Sequence, residues 1–260
     1  MMKKTILALL VLLMGHALLA QDFNLYEKRI FINKGDTLRY RLLLPENYDP
    51  GKIYPMVLFL HGSGERGSDN AAQLIHGGEL FLRDSIRKAY PAIIVFPQCP
   101  GQDTWADVTV SKDSTGKREF IFKAEGKPTT SMRLLKKLVK YLIAQYPITK
   151  RQVYVGGLSM GGMGTFDIVR REPKLFVAAF AICGGADSAI APKLKNANWW
   201  IFHGAKDDTV DPKYSEIMVK ALQQNNIPVK FTLYPDANHN SWDNAFAEPG
   251  LMAWLFSNKR

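Results

Sequence analysis

Apolar residues fall along this chain in two alternating patterns: short unbroken runs bounded by turn residues, and longer stretches in which they recur every three or four positions. The runs at 56–60 (MVLFL), 92–96, 153–155, 177–182, 199–202 (WWIF) and 229–233 predict buried strands. Two earlier segments, 28–32 and 38–44, flank the turn signal Asn33-Lys34-Gly35-Asp36 and predict an antiparallel hairpin. Between them the spacing predicts helices over 78–90, 130–146, 161–171, 214–223 and 251–256. In the segment 130–146, Leu134, Leu135, Leu138, Val139 and Leu142 share one face and Arg133, Lys136, Lys137 and Lys140 the other, which reads as a solvated outer face. Strands that are apolar throughout must be covered on both sides, so the alternation implies an α/β chain with a mostly parallel sheet between helices. Residues 101–128 follow neither pattern and read as an excursion over a site rather than framework.

The pattern places one motif where it can carry chemistry. Gly157-Leu158-Ser159-Met160-Gly161-Gly162 lies between the run 153–155 and a helical stretch. A serine on such a sharp strand-to-helix turn stands exposed as a nucleophile, with glycines giving it clearance and the helix N-terminus favouring negative charge. A hydroxyl needs a histidine to take its proton and a carboxylate to orient that histidine, in the chain order serine, acid, histidine. After the run 199–202 comes His203-Gly204-Ala205-Lys206-Asp207-Asp208, and after 229–233 comes Pro235-Asp236-Ala237-Asn238-His239. Both follow the C-terminal ends of strands, where open α/β sheets place their sites. Only His239 has the right place in the order. His203 reads as a buried framework residue, His61 as a brace for its loop, and His76 as a loop or surface residue. Asp207 and Asp208 are adjacent and their position alone does not separate them; Asp236 and Asp243 are weaker competitors within the histidine loop.

The loop His61-Gly62-Ser63-Gly64-Glu65-Arg66-Gly67 follows the run 56–60, and the backbone N–H groups of Ser63 and Met160 together would form a two-donor oxyanion hole. Glu65 and Arg66 read as a pair that holds this loop. No Gly-Lys-Ser/Thr ending marks a phosphate loop, and the acids and histidines lack zinc-site spacing, so neither metal nor cofactor is expected. Trp105 and Trp242 lie in segments near the expected site mouth, where aromatic faces suit sugar rings or hydroxycinnamoyl groups, although packing is the commoner fate of tryptophan.

Composition changes the picture in two places. Lys3 and Lys4, an apolar run over 6–14 and small residues to Ala20 form the layout of a secretory signal peptide, with Ala20-Gln21 the preferred cut. Residues 21–260 then form one catalytic domain, large enough for a single core, in a periplasmic or extracellular setting. No later stretch is long and apolar enough to span a membrane. The net charge of +10 is scattered among acids without a nucleic-acid motif, which argues against nucleic acid as a partner.

Several stretches together resemble a known group. LFLHGSGERG from Leu58, PQCP from Pro97, VYVGGLSMGGMGTFD from Val153, IFHGAKDDTV from Ile201 and the Asn238-His239 turn are similar to the α/β-hydrolase superfamily. Within it they resemble secreted esterases of the predicted-peptidase, polyhydroxybutyrate-depolymerase-like and feruloyl-esterase-like group. The resemblance implies a mostly parallel twisted sheet of about eight strands with helices on both faces. In that group the acid lies three residues after the glycine of His-Gly-x-x-Asp-x-x-Val, which favours Asp207; the usual proline after the valine is Asp211 here, with Pro212 next. The group's sheet order puts two strands between those preceding Cys99 and Cys183, roughly 14 Å at about 4.8 Å per strand, so no disulfide is expected. The implied activity is hydrolysis of carboxylic esters through an acyl-enzyme, on small-molecule or polysaccharide-linked acyl or feruloyl esters. A secreted serine peptidase is the alternative, weakened by the lack of a gating domain. A non-catalytic binding protein is a third, opposed by the intact order of Ser159, Asp207 and His239.

Overall fold

The computed structural model describes residues 22–260. The expected signal peptide, residues 1–20, lies outside them.

In chain order the strands are β1 (Glu27–Asn33), β2 (Asp36–Leu43), β3 (Tyr54–Leu60), β4 (Ile93–Gln98), β5 (Val108–Lys112), β6 (Arg118–Phe122), β7 (Ile148–Leu158), β8 (Ala178–Ile182), β9 (Asn198–Gly204) and β10 (Val229–Tyr234). The α-helices are α1 (Asp84–Ala89), α2 (Thr130–Gln145), α3 (Met160–Arg171), α4 (Lys213–Gln224), α5 (Trp242–Ala247) and α6 (Leu251–Ser257). Eight strands form one sheet in the order β1-β2-β4-β3-β7-β8-β9-β10. β1 and β2 form the antiparallel hairpin, β2 runs antiparallel to β4, and every pair from β4 to β10 is parallel.

The unbroken apolar runs have a direct cause. In β3, Met56, Leu58 and Leu60 enter a core beneath α2, α3 and α4, while Val57 and Phe59 enter a second core on the opposite face. β9 divides in the same way, Trp199 and Ile201 to one side and Trp200 and Phe202 to the other. A strand buried on both faces favours an apolar residue at nearly every position. Helix α2 begins where the Thr129 hydroxyl accepts a hydrogen bond from the Met132 N–H at 3.1 Å. Its leucines are buried, and the opposite face is tied down as well as solvated: Lys136 and Lys140 both reach Glu172.

One expectation changes and two elements are added. The segment 78–90 is a tight 3-10 turn, Leu80–Leu82, followed by the short α1, because Leu80, Phe81 and Leu82 are all buried and one helical stripe cannot bury three consecutive residues. Residues 101–128 contain an ordered antiparallel ribbon, β5 with β6, that forms a separate two-stranded sheet. The short helix α5 follows the His239 loop and was not foreseen by periodicity.

Cys99 and Cys183 are free and buried, and β3 and β7 lie between the strands that precede them. Among the described residues, no helix is long and apolar enough to cross a membrane.

Candidate active site

β7 ends at Leu158 and α3 starts at Met160, so Ser159 makes the whole turn between them, with φ of +52°. That backbone region is unfavourable for a residue with a side chain and persists only where the surroundings impose it. Here the Ser159 N–H donates to Ile182 O at 2.8 Å, fixing the turn to β8. Close packing excludes any side chain beside it: a Cβ on Gly157 would lie 2.4 Å from Gly161 O, and one on Gly161 would lie 1.9 Å from Leu60 O.

The other two residues arrive from loops after β9 and β10. A Cβ on Gly204 would lie 2.3 Å from Asn238 O, so bare backbone at Gly204 lets the two loops touch. His239 then spans the gap. Its Nδ1 is 2.8 Å from Asp207 Oδ2, and its Nε2 is 3.0 Å from Ser159 Oγ. An Nδ1–H donated to the carboxylate leaves Nε2 as the acceptor for the serine hydroxyl.

Asp207 is closed to solvent and fully hydrogen-bonded. Oδ1 accepts from the Thr209 N–H at 2.9 Å and the Val210 N–H at 2.8 Å. Oδ2 accepts from His239 and also from His203 Nε2, at 3.1 Å. Burial on its own would raise this carboxyl, but the hydrogen bonds from His203, His239 and Val210 outweigh it and hold the group well below the usual carboxylate range. Asp208 instead points outward and accepts from the Asn238 side chain and the Thr209 hydroxyl. Asp236 pairs with Lys206, and Asp243 accepts from Asn240, so neither competes for His239.

His203 is buried, as expected of a framework residue, and its position is informative. Its Nε2 also lies 2.9 Å from Val210 O, so it faces two acceptors and must carry the hydrogen; Nδ1 meets Ser215 Oγ at 2.7 Å. Two imidazoles therefore converge on one carboxylate oxygen. The sequence pattern held no signal for this contact beyond the four-residue interval from His203 to Asp207.

His61 braces its loop. Its Nδ1 lies 2.6 Å from Gly62 O and its Nε2 accepts from the Cys99 N–H at 2.9 Å. Burial pushes its imidazole down to about 4, against the pull of the Gly62 carbonyl. The expected Glu65–Arg66 pair does not form: Glu65 is buried with His76 at 3.7 Å, while Arg66 donates to Ser63 O and Asp103 O.

A cavity of about 290 Å³ opens over Ser159 and His239. Ser63 and Met160 are on its wall, beside the serine. The β5–β6 ribbon supplies the facing wall with Val108, Val110, Arg118 and Phe120. It is held there by a Lys117–Asp211 ion pair at 2.5 Å and by the Phe120 N–H, which donates to the Tyr214 hydroxyl at 2.9 Å. Neither tryptophan lines the cavity. Trp105 is fully buried, donates from Nε1 to His61 O at 3.1 Å and packs over Gly164, so its area is spent on the core. Trp242 lies edge-on to His239, with ring centroids 5.4 Å apart, also meets the His76 ring and packs against the second core.

Cys183, Asp207 and His239 offer three ligand-type atoms within 4.8 Å of one another. The carboxylate oxygens already accept N–H groups, and burial, with Asp207 nearby, pushes the Cys183 thiol far up, so it stays protonated. A donor set of this kind suits the back of a proton-transfer chain and not a cation site.

The sequence profile of the phospholipase/carboxylesterase family matches residues 50–248. Among solved structures, a thermostable esterase superposes with a TM-score of 0.81 at 29% identity, over 91% of this chain and 64% of that one. The chain thus spans less than two thirds of that esterase's length. A ferulic acid esterase from Anaeromyces mucronatus, solved with ferulic acid, gives 0.65 at 18% identity, over 90% of each chain. Dipeptidyl peptidase 4 of Porphyromonas gingivalis gives 0.63 at 18% identity, over 90% of this chain and 35% of that one. At such identities the last two share the fold alone. No curated protein matches the sequence.

Proposed function

The chain belongs to the phospholipase/carboxylesterase family, and from that premise we propose that it hydrolyses carboxylic esters through Ser159, His239 and Asp207. The observation that carries the reading is the continuous path Ser159 Oγ to His239 Nε2 at 3.0 Å and His239 Nδ1 to Asp207 Oδ2 at 2.8 Å. Ser159 Oγ attacks the acyl carbon while His239 Nε2 takes its proton, and Asp207 stabilises the resulting imidazolium. The N–H groups of Ser63 and Met160 receive the oxyanion. His239 then protonates the departing alcohol, and water activated by the same imidazole releases the acid and restores the serine.

The experiment is labelling by a fluorophosphonate together with turnover of a 4-nitrophenyl ester. Wild type labels at Ser159 and turns over, while Ser159→Ala does neither and keeps its circular dichroism. Turnover that survived in Ser159→Ala would remove the serine from the mechanism. Acyl groups esterified to plant polysaccharide are the substrate class we favour, on the structural kinship with a ferulic acid esterase. Release of ferulate, acetate and short fatty acids from matched esters separates the members of that class.

A peptidase reading draws on the shared fold with dipeptidyl peptidase 4, but this chain spans about a third of that protein. Peptide cleavage with esters left intact would favour it. Export to the periplasm or medium rests on the pattern of residues 1–20, and cell fractionation tests it.

A further inference from the structure

We propose that the mouth of the cavity binds a carboxylate carried by the ester substrate, several bonds from the scissile carbonyl, through Arg66, Arg118 and Lys112. The inference rests on the reading of Ser159 as an ester-cleaving nucleophile and adds the substrate's charge to it.

The ribbon provides the first observation. Its register pairs Val108 with Phe122, Val110 with Phe120 and Lys112 with Arg118. Alternate pairs in an antiparallel ribbon share a face, so these six residues form one face and Thr109, Ser111, Glu119 and Ile121 the other. Val108, Val110, Arg118 and Phe120 line the cavity, which identifies the inner face. Along it, chemistry changes from apolar near the base of the ribbon to cationic toward its tip.

That outer pair is costly. Like charges directly opposite across a ribbon repel, and a two-stranded ribbon has little stability to spare. The one acid of these two strands, Glu119, is on the other face. Asp211, close to the tip, is engaged by Lys117, and Asp107, at the ribbon base, by Lys123. Among the described residues, Arg66, Lys112 and Arg118 make no ion pair.

Arg66 lines the same cavity from the loop after β3. Its Nε donates to Ser63 O at 3.0 Å and its Nη1 to Asp103 O at 3.3 Å, so carbonyl groups aim the guanidinium without neutralising it. Nη2 has no partner among the described residues and the side chain lines the cavity. Two arginines lining one cavity, with a lysine paired across the ribbon from one of them, offer the donors that a carboxylate's two oxygens accept. The apolar stretch between rim and nucleophile, formed by Ala106, Val108, Val110, Phe120, Met163 and Val210, then takes the uncharged part of the substrate. Two substrate types carry this charge: a half-ester of a dicarboxylic acid, and an acyl ester of a uronic acid.

The test compares charge-matched ester pairs in two arms. The acyl arm sets mono-4-nitrophenyl glutarate against 4-nitrophenyl pentanoate. The alcohol arm sets an O-acetyl methyl glucuronide against the matching O-acetyl methyl glucoside. The readout is the ratio of kcat/KM for the anionic over the neutral ester. In one arm it is about tenfold above one at low salt and falls as salt is raised. Arg118→Glu carries that ratio below one, and Arg66→Gln or Lys112→Gln lowers it severalfold. Glu119→Gln, a charge change on the outer face, leaves the ratio where it was. Turnover of the neutral esters with ratios at or below one in both arms would overturn the carboxylate assignment and leave ester hydrolysis standing. No turnover of any of the four would remove the underlying reading and the assignment with it.

Discussion

At the rim of the large sheet Asp207 receives four hydrogen bonds and is closed to solvent, whereas the ribbon across the cavity leaves Val110 55% and Ile121 53% exposed. Rim residues are held by strand ends, by a strained turn at Ser159 and by glycines packed against carbonyls. Among the described residues the ribbon is held by the Lys117–Asp211 ion pair, the hydrogen bond from Phe120 to Tyr214 and the packing of Val108, Phe120 and Phe122 on a small cluster of Ala106, Met163, Val210 and Tyr214. The contrast separates two tasks. Proton transfer needs distances fixed to fractions of an ångström, while selection among substrates needs a surface that can be altered without disturbing them.

Changes at the rim are therefore expected to act on kcat and folding, and changes at the ribbon on KM. The largest effect is expected for Asp207→Asn, which cannot hold His239 in the required tautomer: kcat falls about 10⁴-fold while the fold persists. Steady-state kinetics beside circular dichroism check this; a loss of less than tenfold would make the rim as forgiving as the ribbon.

Next comes the pH dependence set by His61. Its folded value of about 4 lies below the roughly 6.5 of an exposed imidazole, so between these values the unfolded chain binds more protons. Stability from this group is complete above about pH 6.5 and is lost as pH falls toward about 4, on the order of 3 kcal/mol in all. Urea midpoints across that window fall steeply for wild type and less steeply for His61→Asn; parallel curves would mean that His61 does not titrate as its burial requires.

His203→Ala removes one of two imidazoles from Asp207, and kcat falls roughly 10- to 100-fold, the worth of a hydrogen bond to a buried charge. His203→Gln, able to offer an N–H near the same place, restores part of that loss. Equal activity in the two variants would limit His203 to packing. The smallest effect is expected for Tyr214→Phe, which takes the acceptor from Phe120 N–H: KM rises roughly two- to fivefold with kcat little changed. A change confined to kcat would join the ribbon to the rim and dissolve the comparison.

The rim was largely legible in the sequence and the ribbon was not, for a physical reason. Strands such as 56–60 and 199–202 are buried on both faces and leave unbroken apolar runs, and the turn at Ser159 demands glycines at fixed intervals. The family resemblance then separated Asp207 from Asp208, which residue pattern alone did not. In the ribbon, Val108, Val110, Phe120 and Phe122 alternate with Thr109, Ser111, Glu119 and Ile121 around an Asp113-Ser114-Thr115-Gly116 turn. That is a hairpin pattern, diluted by Lys112, Lys117 and Arg118 until it resembled a charged loop. The place of Trp105 in the core is not legible in the sequence, because position along the chain does not tell which way an indole turns; Gly164, whose missing side chain makes room for it, is the one clue. The burial of His203 follows from its place at the end of an apolar run, but its bond to Asp207 depends on how the loop after β9 folds back, which periodicity does not encode.

The contact between Gly161 and the carbonyl of Leu60 has one more consequence. It presses the first turn of α3 onto the last residue of β3, and the loop holding Ser63 departs from that same strand end. The hydroxyl of Ser159 and the N–H of Ser63 proposed to receive the oxyanion are thus geared to a common axle, and when the sheet flexes they travel together.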